Sequence, residues 1–279
     1  MRSSRFLSEV FVATETTIHS VPVIGGAIDV RRQGRRGPTL VFVHYWGGSA
    51  GTWDDVVEQL PADRDTVRFD QRGWGTSRAL PGPYHLHRLV DDLLDVVEGL
   101  DLGTFVLVGH SMGGKVSLLA AARRPVGLVG LALLAPAPPQ PPATVTAEYR
   151  SFLSHAYDSA QSVGQALDHV LTALPLADTV RSAAVRDSLA ADDAARREWP
   201  LRGIAADVTD AARAIDVPVL VLAGEHDQVE PPQVLRRHLL PSVPQARIDV
   251  VPGTGHLLPL EAPVAVAAAL EDFTAGLGD

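Results

Sequence analysis

The stretch Thr104-Phe-Val-Leu-Val-Gly-His-Ser-Met-Gly-Gly-Lys115 constrains the fold more than any other, because an apolar run stops at Gly109 and resumes with helical spacing. In Gly109-His110-Ser111-Met112-Gly113 two glycines flank the serine where a strand turning abruptly into a helix would drive side chains together. Glycine tolerates that approach. A serine on so sharp a turn has its hydroxyl pushed out at the end of a sheet and the next backbone N–H left free, as a nucleophile elbow requires. So short a pattern also arises by chance, and the rest of the chain has to give it meaning.

The rest alternates strand and helix patterns. Thr16 to Arg32 reads as two short strands around Gly25-Gly26. Thr39 to His44 is a continuous apolar run between Gly37-Pro38 and Gly47-Gly48, which suits a strand buried on both faces. A helix from Ala50 to Leu60, a strand from Thr66 to Asp70 and a helix from His87 to Leu100 follow. Beyond the elbow come a helix from Met112 to Arg124 and a strand from Gly127 to Leu134. Strands separated by helices imply a parallel sheet with right-handed crossovers. The pattern then changes at Pro136-Ala-Pro-Pro-Gln-Pro-Pro142, which neither helix nor strand can contain. From there to Arg213 the chain reads as helical, and strand patterns return at Val217 to Ala223 and Ala246 to Val251. Helices are expected from Pro232 to Leu240 and from Pro259 to Leu277. The expectation is a doubly wound, mostly parallel α/β sheet built from residues 1–135 and 214–279, interrupted by a helical insertion over 136–213.

Composition narrows the function. With 24 basic and 33 acidic residues the net charge is −9, and basic residues cluster only as pairs, which argues against nucleic acid. The chain has no cysteine, so a cysteine nucleophile and thiolate metal sites are excluded. Glu9 interrupts the apolar N-terminal stretch Met1 to Val12 and spoils it as a signal peptide. The longest apolar stretch, Gly127 to Ala137, is far short of the roughly 20 residues that span a bilayer. A cytoplasmic protein acting on a small molecule is expected, with no membrane or nucleic-acid partner, no metal and no cofactor. The oligomeric state is left open.

In an open parallel sheet, ligands bind beyond the carboxyl ends of the strands. Ser111 follows one strand, Asp227 lies in Gly224-Glu-His-Asp-Gln228 after another, and His256 lies in Gly253-Thr-Gly-His-Leu257 after the last. A serine hydroxyl needs an imidazole to take its proton, and the imidazole needs a carboxylate to hold its tautomer. Glu225 and Glu230 compete with Asp227 for the acid, and Ser111 competes with itself as an ordinary helix cap.

These motifs, together with Val43-His-Tyr-Trp-Gly-Gly48 and Asp70-Gln-Arg-Gly-Trp-Gly-Thr-Ser77, resemble the α/β-hydrolase family, in particular its lid-bearing esterase, lactonase and haloperoxidase-like group. The resemblance runs the length of the chain. It implies the order Ser111, Asp227, His256 as a catalytic triad and selects Asp227 over the two glutamates. It implies an oxyanion hole from the backbone N–H groups of Trp46 and Met112, with Tyr45 standing where relatives carry glycine. His44 and His110 would brace loops, and Asp70 and Arg72 would tie their own loop together by a charge-assisted bond. Segment 136–213 would be a lid, with Tyr149, Phe152, Tyr157 and Trp199 as candidates for an apolar pocket wall. The function implied is hydrolysis of a carboxylic ester or lactone of a small, largely apolar substrate through an acyl-enzyme. Alternatives are carbon–carbon bond hydrolysis or haloperoxidase-like perhydrolysis on the same triad, and a non-catalytic ligand-binding module.

Overall fold

The computed structural model describes residues 15–277. The N-terminal stretch read against a signal peptide lies outside these residues. Eight strands form one sheet in the order β1-β2-β4-β3-β5-β6-β7-β8. They are β1 Thr17–Val23, β2 Gly26–Gln33, β3 Arg36–Val43, β4 Arg64–Phe69, β5 Phe105–His110, β6 Leu128–Leu134, β7 Val219–Gly224 and β8 Ala246–Val251. The opening hairpin is antiparallel, β2 meets β4 antiparallel, and every pairing from β4 through β8 is parallel. Parallel strands need crossovers that return the chain to the same edge, and these carry helices to both faces. Side chains alternate accordingly: Val41, Val43 and Leu107 enter one apolar layer, while Leu40, Phe42, Val106 and Val108 enter the other. Each such buried apolar side chain contributes roughly 1.5–3 kcal/mol.

The helices outside the central segment are α1 Asp54–Gln59, α2 Leu86–Gly99, α3 Met112–Ala122, α9 Pro232–His238, α10 Leu258–Glu261 and α11 Pro263–Ala275. The helix expected over Ala50 to Leu60 begins as a tight 3₁₀ turn, Ala50–Trp53, before α1. The helix expected from Pro259 to Leu277 is two helices. Pro263 disfavours helical backbone at Ala262, which sits at φ −142° and ψ 54° and breaks the chain between α10 and α11. His85 caps α2 by accepting from the Arg88 N–H, which accounts for that histidine without a ligand. Among the described residues, no helix is long and apolar enough to cross a membrane.

Between β6 and β7 the chain is helical, with α4 Ala147–Leu153, α5 Ala160–Ala166, α6 Asp178–Leu189, α7 Asp193–Glu198 and α8 Thr209–Ala212. Two wide turns of π type, Leu167–Leu171 and Trp199–Gly203, extend α5 and α7. Polar ties hold this segment to the body. Ser49 donates to Asp187 at 2.6 Å, Ser188 donates to the Gly47 carbonyl at 3.0 Å, and Lys115 donates to the Ala206 carbonyl at 2.8 Å. Burial pushes the Lys115 ammonium down to about 8, against the raising influence of Glu230 and Asp207.

The loop after β4 is held differently from the expectation. Arg72 does not pair with Asp70; its guanidinium takes both oxygens of Asp92 on α2, at 2.6 and 2.7 Å, with both side chains almost fully buried. Asp70 instead accepts from the backbone N–H groups of Ala50 and Thr76 and from the Thr76 hydroxyl. A buried guanidinium needs a partner that matches its two-pronged geometry, and a carboxylate on a neighbouring helix supplies it where one on the same tight loop does not. Removing one partner strands the other charge, so Asp92→Ala is expected to lower the unfolding free energy by about 3–5 kcal/mol. Chemical denaturation measures this, and a loss below about 1 kcal/mol would contradict a structural role for the pair.

Candidate active site

Ser111 joins β5 to α3 at φ 53° and ψ −113°, a left-handed backbone that is strained for any residue but glycine. Its neighbours make that turn possible. A Cβ on Gly113 would lie 2.3 Å from the Val43 carbonyl oxygen, and one on Gly109 would lie 2.5 Å from the Gly113 carbonyl oxygen. The Ser111 backbone is pinned to the end of β6, donating to the Leu134 carbonyl at 3.0 Å and accepting from the Ala137 N–H at 3.3 Å. Although it occupies the cap position of α3, its side chain makes no capping bond. The hydroxyl turns instead to His256, with Ser111 Oγ 2.9 Å from His256 Nε2. On the other side of the ring, His256 Nδ1 lies 2.9 Å from Asp227 Oδ2.

Asp227 follows β7 and is buried. Its Oδ1 accepts from the backbone N–H groups of Val229 at 2.7 Å and Glu230 at 3.0 Å. Burial alone would raise this carboxyl, but the charge and hydrogen bond of His256 and the two backbone donors outweigh it and hold it below the ordinary carboxylate value. The rival acids go elsewhere: Glu225 is half exposed and accepts from the Gly253 N–H at 2.9 Å, while Glu230 has no contact with the imidazole among the described hydrogen bonds.

The loop carrying His256 is fixed by Glu261 and Leu171, which the sequence motifs did not single out, and by His110, which was expected to brace a loop. Glu261 on α10 accepts from the N–H groups of Gly255 and Leu257 and from Ala173 in the helical segment. The Leu171 carbonyl accepts from the His256 and Leu257 N–H groups at 2.9 and 3.1 Å. His110 Nε2 donates to the His256 carbonyl at 2.8 Å, and burial, then repulsion from His256, lowers the His110 imidazole to about 3, so it stays neutral. A carboxylate five residues after a histidine was visible in the sequence as Glu261, but nothing local marks it as the group that gathers three backbone donors.

The oxyanion candidates sit on two elements. Met112 is the first residue of α3, where an amide has no partner within the helix and the helix dipole favours negative charge. Trp46 lies in the turn after β3. His44 Nδ1 donates to the Tyr45 carbonyl at 2.7 Å while its Nε2 accepts from the Gln71 N–H, so His44 braces the turn. Trp74 is packed in the core and donates through its indole N–H to the Trp46 carbonyl at 2.7 Å. The Trp46 indole stacks on Tyr157 at 4.1 Å and donates to the Arg196 carbonyl, tying this turn to the helical segment.

A cavity of about 740 Å³ opens above these groups. Ser111, His256, Trp46 and Tyr45 form its floor, and Tyr149, Phe152, Tyr157 and Trp199 contribute to its walls. Asp227 and Met112 do not line it: the carboxylate is screened behind the imidazole, and the Met112 side chain is buried in the core. Phe152, exposed to 77 %, marks its mouth.

A mostly parallel sheet of this order, with a serine on the strained turn after its central strand, defines an α/β hydrolase. The sequence profile of the alpha/beta hydrolase family matches residues 40–269, and the chain belongs to that family of enzymes. A 2-succinyl-6-hydroxy-2,4-cyclohexadiene-1-carboxylate synthase from Enterobacter sp. is 30% identical over 256 residues, covering 86% of this chain and 93% of the relative. A bifunctional esterase/perhydrolase from Acinetobacter calcoaceticus is 27% identical over 240 residues, covering 81% and 87%. Among solved structures, an esterase from Exiguobacterium antarcticum superposes with a TM-score of 0.83 at 20% identity, over 92% of this chain and 98% of that one.

Proposed function

We propose that this chain is a serine hydrolase that cleaves a carboxylic ester or lactone of a small, largely apolar molecule through an acyl-enzyme. The observation that carries the reading is the continuous hydrogen-bonded line from Ser111 through His256 to Asp227, ending at an apolar cavity. Ser111 Oγ attacks the carbonyl carbon while His256 Nε2 takes its proton. The N–H groups of Trp46 and Met112 stabilise the oxyanion, an effect worth roughly 3–4 kcal/mol per donor. Collapse expels the alcohol, which leaves with the proton from His256. Water then enters, gives a proton to the same nitrogen and releases the acid. Asp227 keeps the Nδ1–H in place throughout.

Segment 136–213 acts as the lid over residues 1–135 and 214–279, and its aromatic side chains favour an apolar substrate. The likeness to an esterase/perhydrolase supports ester chemistry. A turnover panel of esters, lactones and diketones, with Ser111→Ala as control, tests the reading. Serine-dependent turnover of an ester or lactone is expected; turnover confined to diketones would overturn it.

A further inference from the structure

One buried titratable group takes no part in this chemistry. Glu230, three residues after Asp227, lines the same cavity as Ser111 and His256 and is only 6 % exposed. Its backbone N–H is spent on Asp227, and neither carboxyl oxygen has a hydrogen-bond partner among the described residues; Oε2 is fully buried, which leaves Oε1 as the oxygen open to the cavity. The nearby Lys115 does not take it up, because that ammonium donates to the carbonyls of Ile204 and Ala206. A buried carboxyl without a partner is costly, and native structures reserve such groups for a ligand or for function. Glu230 is the one carboxyl on the wall: His155, Gln165, His169 and Gln228 are exposed, Ser162 is half-buried, Tyr45, Tyr149 and Tyr157 offer only phenol hydroxyls, and no lysine or arginine lines the cavity.

We propose that Glu230 is the recognition group of the pocket, its carboxyl hydrogen-bonding a neutral oxygen, ketone or hydroxyl, carried by an otherwise apolar ester substrate away from the bond that is cleaved. The inference rests on the ester-hydrolase reading and names the substrate class for it. Burial, reinforced by the charge of Asp227 and opposed by Lys115, raises this carboxyl well above the usual carboxylate range. Burial thus favours the protonated form, which can donate. A substrate carboxylate would bring a second negative charge beside Asp227 with no cation on the wall to meet it. A substrate ammonium would need Glu230 ionised at the cost of burying that charge.

The test compares the p-nitrophenyl ester of hexanoate with esters of its keto-substituted analogues, the ketone placed from C4 outward, too far to activate the ester carbonyl inductively, and with chain-matched esters ending in a carboxylate or an ammonium group. The wild type is expected to favour at least one keto-ester over plain hexanoate by about tenfold in kcat/KM, the size of one neutral hydrogen bond set in a buried site. Glu230→Gln, whose amide can also donate, should keep the preference, and Glu230→Leu should bring the ratio to about one. A flat keto series, a preference for the carboxylate or ammonium ester, or a preference that survives Glu230→Leu overturns the assignment. A flat wild-type series overturns the assignment even if a variant fails to fold. Hydrolysis of plain hexanoate with a flat series overturns this inference alone, whereas no hydrolysis of any ester overturns the ester reading with it.

Discussion

Ser111→Ala is expected to lower kcat/KM toward any ester the wild type cleaves on the order of 10⁶-fold, while leaving the fold intact. The side chain removed makes one described contact, to His256. The strained backbone at φ 53° is imposed by the bonds to Leu134 and Ala137, which alanine keeps. Were the serine an ordinary helix cap, the pattern would reverse: stability would drop by about 1 kcal/mol and activity would persist. The missing capping bond favours the catalytic outcome. Steady-state kinetics with a thermal melt beside them separate the two.

Asp227→Asn is expected to cost about 10⁴-fold in kcat with little effect on substrate binding. The direction follows from which atoms each oxygen serves. Oδ1 accepts two backbone N–H groups, so an asparagine would keep its carbonyl oxygen there. Its NH₂ would then face His256 Nδ1, which could only accept. The ring proton would move to Nε2 and point at Ser111, leaving the hydroxyl no base. Kinetics on the variant measure this, and a loss below about tenfold would place the acid elsewhere, for which Glu225 and Glu230 are the remaining residues on the loop.

Much of the sheet was legible in the amino-acid sequence. Runs such as Thr39 to His44 and Phe105 to Val108 are apolar without alternation because both faces of a parallel strand are covered, and that burial writes itself locally into sequence. Ser111 and His256 were legible because the turns that present them need glycine nearby. Pairings between distant elements were not. Arg72 finds Asp92 only because α2 packs beside the loop after β4, and an acid two residues away was the natural but mistaken partner. Glu261 gathers Gly255, Leu257 and Ala173 through a geometry set by three separate segments. The cavity wall depends on two π-type turns, whose extra residue per turn has no compositional signature.

Covalent capture of the nucleophile tests the central claim most directly. A fluorophosphonate reacts with a serine only where a base activates it and an oxyanion hole holds the developing charge. Intact-protein mass spectrometry should show one adduct on the wild type, mapped by digestion to the peptide carrying Ser111, and none on Ser111→Ala. An adduct that survives Ser111→Ala, or maps to another residue, would contradict the assignment of Ser111 as the nucleophile.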